Sequence, residues 1–190
     1  MLYRKAKVNT EGETNLRDLV LEARNGDTNA FRVIFDQFVD RLYGYSFSRT
    51  QTRADALDVV QETFVDLWSA LPGFEFRSDE EFSGFIFKIL KRKISKLHRA
   101  RRADVSLDDL GSDIKVEVEI EDYRFIMDGL DSLSPKYREV VKLRYWSGMT
   151  FSEIASILNS NEGAIKVRHH RAIEKLKKKI EDEEHRGNIE

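Results

Sequence analysis

Two stretches of this chain concentrate cationic side chains at helical spacing, and cations in that arrangement suit a phosphate-bearing polymer. Between Lys88 and Arg102 there are eight basic residues and no acidic one. Lys88, Arg92, Ser95 and Arg99 recur at steps of four, three and four, which makes one stripe along a helix, with Lys91 and Lys96 beside it and Arg101 and Arg102 beyond. Phe85 and Phe87 border the apolar face of the same helix; rings there can stack on bases while the charges track phosphates. A face meant only for solubility would mix signs. The second stretch, residues 150–179, reads as a short helix, a tight turn and a longer helix bearing Lys166, Arg168, Arg171, Lys175, Lys177, Lys178 and Lys179. That pattern fits a helix-turn-helix whose second helix enters the major groove. On these residues alone it fits equally an ordinary helical hairpin with a solvated basic face.

Other chemistries find no support. His169 and His170 are neighbours, about 100° apart around a helix, and cannot chelate one ion together. His98 and His185 have no mixed cluster of acidic residues and histidines near them in sequence. There is no glycine-rich phosphate loop and no pairing of a nucleophile with a base. No metal, no cofactor and no catalytic residue is assigned, so the expectation is a protein that is not an enzyme. The chain contains no cysteine, which excludes disulfides and thiolate metal sites.

The 190 residues suffice for one large or two small domains. Charged residues make up 35% and mean hydropathy is -0.52, and no apolar run nears the ~20 residues of a membrane span, so a cytoplasmic location is expected. The net charge of -2 conceals a segregation: from Asp104 to Asp122 eight acidic residues stand against Lys115 alone, between the two basic stretches. Opposite charges tethered on one chain predict a compact free protein whose basic faces are partly covered.

The elements that must carry these residues follow from periodicity and caps. Residues 1–15 are polar and expected to be flexible. Asn15 can cap a helix from Leu16 to about Asn25, with Leu16, Leu19, Val20 and Ala23 inward. Gly26 ends it and Asp27 caps a second, on which Phe31, Ile34, Phe35, Phe38, Leu42 and Tyr45 repeat at steps of three and four. Thr52 opens a third helix with Leu57, Val60, Phe64, Leu67, Trp68 and Leu71 inward and a polar face of Asp58, Gln61, Glu62, Val65 and Asp66; Pro72-Gly73 stops it. Ser78 and Glu81 form a capping box for a fourth helix, with Phe82, Ile86, Ile89, Leu90 and Leu97 inward. Residues 16–102 thus make one all-α domain. Residues 103–120 break the pattern and read as an acidic extended linker; VEVEI alternates like a strand but has no partner.

A second helical domain spans 121–181. Phe125, Ile126, Leu130 and Leu133 mark a lead helix. Ser134 and Pro135 begin the next, which Gly148 terminates. Thr150 with Glu153 caps the short helix of the hairpin, whose apolar face is Ile154, Ala155 and Leu158. Asn159, Ser160 and Asn161 turn the chain, and Ile165, His169, Ala172, Ile173, Leu176 and Ile180 line the last helix. Residues 182–190 are expected to fray. The fold class is all-α, two small helical domains.

With these motifs in hand, residues 16–181 resemble a bacterial RNA polymerase sigma factor of the extracytoplasmic-function (ECF) type. DVVQETFVDLW, Asp58 to Trp68, is similar to the family's region 2.2; Phe82 to Arg102 resembles regions 2.3 and 2.4; Leu133 to Leu176 resembles regions 4.1 and 4.2. The resemblance implies that Asp58, Gln61, Glu62, Val65 and Asp66 dock on the clamp of core polymerase, with the flap as a further contact. It implies that Arg77, Ser78, Lys88, Lys91, Arg92, Lys96 and Arg99 recognise and open the −10 element. Ser160, Asn161, Glu162, Ala164, Lys166, Val167, Arg168 and Arg171 would read the −35 element. The linker would follow the RNA exit path, and an anti-sigma protein would hold the factor inactive; no membrane insertion is implied. The chain departs from the family with Phe85 for a frequent Trp, Lys93 for Asn, Asn159 for Gly, Ala164 for Thr, and His169 for an aliphatic residue. His169 puts a polar ring on the core-facing stripe, where a structural role with a hydrogen-bond partner is expected. A stand-alone helix-turn-helix regulator would explain residues 121–181 but leave the Lys88–Arg102 cluster without a task. A protein-binding helical adaptor would leave both basic faces incidental.

Overall fold

The structure, a computed structural model, describes residues 15–105 and 129–187. Every described element is helical: α1 Leu16–Arg24, α2 Thr28–Phe47, α3 Arg53–Ala70, a 3-10 turn Leu71–Gly73, α4 Asp79–Val105, a helical turn at 129–131, α5 Pro135–Tyr145, α6 Phe151–Ile157 and α7 Glu162–Gly187. The local signals act where expected. Asn15 accepts from the Arg17 N–H, Asp27 from Asn29 and Ala30, and Thr52 from Asp55. Each cap is worth ~1 kcal/mol to its helix. Gly26, at φ 95°, makes the left-handed turn between α1 and α2. Thr150 and Glu153 form a complete capping box on α6. The Ser78 hydroxyl accepts from the Glu81 N–H at the start of α4.

α1 and α2 form a hairpin, α3 packs on α2, and α4 on α3. Leu19, Val20, Ile34, Phe38, Leu42, Phe64, Leu67, Leu71, Phe82, Ile86 and Leu90 are buried between them. Edge-on ring pairs, Phe38–Phe82 at 5.7 Å and Phe31–Trp68 at 4.8 Å, lock the helices. In the second half α5 and α6 pack on α7 around Ile165 and Ala172, with a small core of Leu130, Leu133 and Val141.

Several expectations are corrected. Leu57 is half-exposed, at 51%, and Phe35 is 37% exposed, because nothing among the described residues covers the far side of the α2–α3 pair. Phe87 is fully buried rather than at an edge: α4 is covered on two sides, by the first-half helices and by α6, so a one-sided amphipathic reading underestimates its core. Ser134 stands at the N-cap of α5, but its hydroxyl makes no capping bond. α5 ends at Tyr145, and Gly148, at φ 61°, belongs to the turn after it. α4 continues through 103–105, and α7 continues to Gly187, into the segments expected as linker and tail. The N-terminal segment, the rest of the acidic linker with its VEVEI alternation, and most of the lead helix lie outside the described residues.

Candidate nucleic-acid interface

The helix-turn-helix is α6, the turn 158–161, and α7. Its crossing is held by buried Ile154, Ala155, Ile157 and Ile165. Asn159 takes φ 47°, the one non-glycine residue with positive φ among those described, so the turn has the left-handed geometry that a glycine would meet without strain. Asn161 caps α7, its side-chain oxygen accepting from the Ala164 N–H at 2.8 Å. Glu162 and Lys166 pair at 2.7 Å along the exposed surface. Val167 is 49% exposed, an apolar side chain presented with Lys166 and Arg171, while Ser160, Ala164 and Arg168 are half-buried.

His169 finds the partner that the sequence does not name. Its Nε2 lies 3.2 Å from the Tyr145 hydroxyl, its ring stacks on Tyr145, and Phe151 meets it edge-on. Burial, then the charges of Arg144 and His170, lowers its pKa and favours the neutral ring. A polar residue is thus accommodated at an aliphatic position by an aromatic cage.

On α4 the basic residues divide. Lys88, Lys96 and Arg99 are exposed and hold no ion pair among the described residues. Arg92 reaches Asp66 at 3.2 Å, and Lys93 reaches Glu62 at 3.2 Å and Asp66 at 2.9 Å. The bond from Lys93 is the largest influence holding Asp66 below its ordinary pKa. Lys91 turns to Glu139 of the second half at 2.9 Å. Phe85 stacks on Phe74 with ring centres 4.6 Å apart. Arg77 is exposed in the loop before α4, near Glu75 and Glu81, while Ser78 is engaged as the cap.

On α3, Asp58, Gln61, Glu62 and Val65 are exposed, and Asp66 is half-buried by its pairs. Sequence reasoning misses what adjoins them. Phe31, Phe35, Leu57, Phe64, Val65 and Trp68 line an apolar groove of about 590 Å³ that also includes Gln61. A helical-wheel count assigns Leu57 to the core, so no pattern within α3 could have revealed the groove.

No described helix is long and apolar enough to cross a membrane. Comparison with known proteins agrees with both halves. The family model described as sigma-70 region 2 matches residues 34–103, and that described as sigma-70, region 4, matches residues 126–176. The chain is 27% identical to the ECF RNA polymerase sigma factor BldN of Streptomyces coelicolor, covering 88% of this chain and 67% of that protein. It is 25% identical to the ECF sigma factor SigW of Bacillus subtilis, covering 90% and 99%. A solved structure of CnrH in complex with the cytosolic domain of CnrY superposes with a TM-score of 0.65 at 27% identity, covering 87% of this chain and 97% of that one. The same fold is shared by RpoE of Bartonella quintana, solved with the anti-sigma factor NepR, at a TM-score of 0.59 and 23% identity. With region 2 and region 4 matched in order on one chain, this protein belongs to the sigma-70 family as an ECF-type RNA polymerase sigma factor, acting in promoter recognition for transcription initiation.

Proposed function

We propose that the chain docks on the clamp of core RNA polymerase through α3, opens the −10 element with α4 and the loop before it, and reads the −35 element with α7. It acts by binding and positioning, with no chemistry of its own, in the cytoplasm where polymerase works. Asp58, Gln61, Glu62, Val65 and Asp66 form the docking face, and the α2–α3 groove extends it with apolar area. Lys88, Lys96 and Arg99, with Arg77 and the Phe74–Phe85 stack, meet the −10 strand. Ser160 to Ala164 reach base edges, while Lys166, Arg168 and Arg171 serve phosphates or bases. An anti-sigma protein is a natural partner for such a chain.

The observation that carries this reading is the α3 face, where Val65 is 60% exposed and Leu57 51%, beside an acidic rim. Large apolar side chains grouped on a surface groove mark an interaction site. Glu62→Lys tests it. Glu62 is exposed and its pair with Lys93 is a surface one that Asp66 also shares, so the variant should melt within ~1 kcal/mol of the parent. It should lose the competition for core polymerase while still binding duplex DNA through α7. A variant that competes as well as the parent would show that this face is solvent.

A further inference from the structure

The outward face of α7 is polar along its length, with one exception. From Glu162 to Lys178 every exposed residue is charged, histidine or glycine, apart from Val167, which is 49% exposed. Val167 stands in the second turn of the helix, roughly 200° around the axis from the buried Ile165. Ala172, the other buried residue of α7, also lies on the far side. The valine therefore points away from the helices on which α7 is seated, and nothing in the packing of the second half accounts for an apolar side chain there.

Its neighbours turn away from it. Lys166 reaches back along the helix to Glu162 at 2.7 Å, and His170 reaches forward to Glu174 at 3.3 Å. Gly163, one turn before Val167, offers no side chain, and the chain itself does not require glycine there. Its φ is not positive, and a Cβ would meet only the Asn161 side-chain oxygen, at 3.4 Å. What glycine leaves in the first turn is room for another molecule to approach. Arg171, one turn beyond Val167, is exposed and enters no ion pair among the described residues. The arrangement is a bare apolar spot with a cation one turn away.

In the major groove only thymine presents an apolar group, the C5 methyl beside its O4 acceptor. Cytosine has a hydrogen in its place, and the purines present N7 and their exocyclic groups. A valine has neither donor nor acceptor, so it reads no hydrogen-bond pattern; it distinguishes bases only by covering a methyl or finding none. Residues in the first turns of a recognition helix are the ones that meet base edges. A phosphate opposite Val167 would gain nothing from it. We propose that Val167 determines specificity within the −35 element: it selects a thymine by covering the C5 methyl, with Arg171 fixing the helix in the groove. The inference rests on the sigma-factor reading for the presence of DNA, and adds which base is chosen and through which atoms.

The test uses holoenzyme, the chain bound to core polymerase. A randomised duplex library is enriched on it. The upstream element so selected is then remade with each thymine of either strand replaced in turn by deoxyuridine, which removes the methyl and nothing else. One replacement should weaken parent binding about fourfold, the worth of covering one methyl, and leave the affinity of Val167→Ala holoenzyme unchanged. Replacement of any other thymine should affect parent and variant alike. Val167 is exposed, so Val167→Ala should melt with the parent. An enriched element in which no replacement is felt, or in which parent and variant respond alike at every thymine, overturns the role of Val167 and leaves the sigma reading intact. A Val167→Ala chain that has lost core polymerase shows that the valine meets protein, and overturns it too. A library that shows no enrichment overturns the sigma reading, and this inference with it.

Discussion

Asn159 shows how much one backbone angle constrains. It occupies the left-handed region in the turn between α6 and α7, at φ 47°. Asparagine tolerates that region because its short polar side chain can bond locally; a β-branched residue does not, at ~1–2 kcal/mol. Asn159→Val should therefore lower stability by ~1–2 kcal/mol in denaturant melts, while Asn159→Gly should hold it or raise it by a few tenths. Equal destabilisation by both would mean that the side chain, rather than φ, matters there. His169 is legible in the sequence as an anomaly on an apolar stripe. Its answer, Tyr145, lies 24 residues away on another helix, beyond any local rule.

Among the elements, α7 presents the proposed DNA-reading surface most directly. Its apolar residues Ile165 and Ala172 seat it in the second half, and Arg171 is left exposed beside Val167 and Lys166. Removing one phosphate contact from duplex DNA changes the salt dependence by about one counterion. Arg171→Ala should thus weaken −35 duplex binding and reduce the slope of log K against log salt by roughly one. Unchanged affinity and slope would take Arg171 out of the interface. The α4 helix behaves differently. Its basic stripe is legible in the sequence, but four of the cations on α4 are committed to pairs: Lys93 and Arg92 to Asp66 on α3, Arg101 to Asp55 near the start of α3, and Lys91 to Glu139. The Lys93 bridges tie α3 to α4, so polymerase contacts at Glu62 and Asp66, as proposed, would compete with bonds that orient α4.

For the whole molecule, the seam where α5 and α6 meet the first half, with Glu139 accepting from Tyr45, Glu153 from Arg41 and Ser83, and Lys142 donating to the Ser48 carbonyl, carries a pH dependence with a definite sign. Burial first, then the charge of Arg49, brings Lys142 down to about 8, against opposition from Asp131; Arg138 acts with Arg49. In an open chain the amine would return towards the ordinary 10.5. The cost of burying its charge is then full below about pH 8 and fades as pH rises from 8 towards 10.5, so closure gains stability across that window. Lys91, lowered by burial and Arg49, acts in the same direction. Two groups bound the window. Burial raises the Tyr45 phenol, so closure weakens once the open-state tyrosine ionises above about 10. Burial alone would raise Glu153, but Arg41, the Thr150 N–H and Ser83 together outweigh it and hold the carboxyl below 4.5, so its contribution to the packing of the halves is lost as pH falls through that lowered value. The closed fraction, read by small-angle scattering, should increase from pH 7 to pH 9.5 and decrease in acid. A closed fraction that falls between pH 7 and 9.5 would contradict this assignment of Lys142.

What the sequence determined by itself is local or repetitive: the caps at Asn15, Asp27, Thr52 and Thr150, the glycine turn at Gly26, the helical order of the described residues, and the helix-turn-helix with its basic face. Each is written within a turn or two of chain, where periods of three and four apply. The motif spacing of Asp58 to Trp68 and of Leu133 to Leu176 carried the family as well. Only the tertiary structure decided which charges meet. Tyr45 and Glu139 are 94 residues apart in sequence, and Arg41 and Glu153 are 112 apart. Charge segregation predicted a compact chain through the acidic linker, which lies largely outside the described residues; among those described, the carboxylates that join the halves belong to α5 and α6. The exposure of Leu57, the burial of Phe87 and the need for glycine at position 44, where a Cβ would fall 2.2 Å from the Trp146 carbonyl oxygen, have the same origin. Whether a side chain is covered, or a backbone approached, depends on the second surface brought against it, and the residues of that surface are far away in the chain.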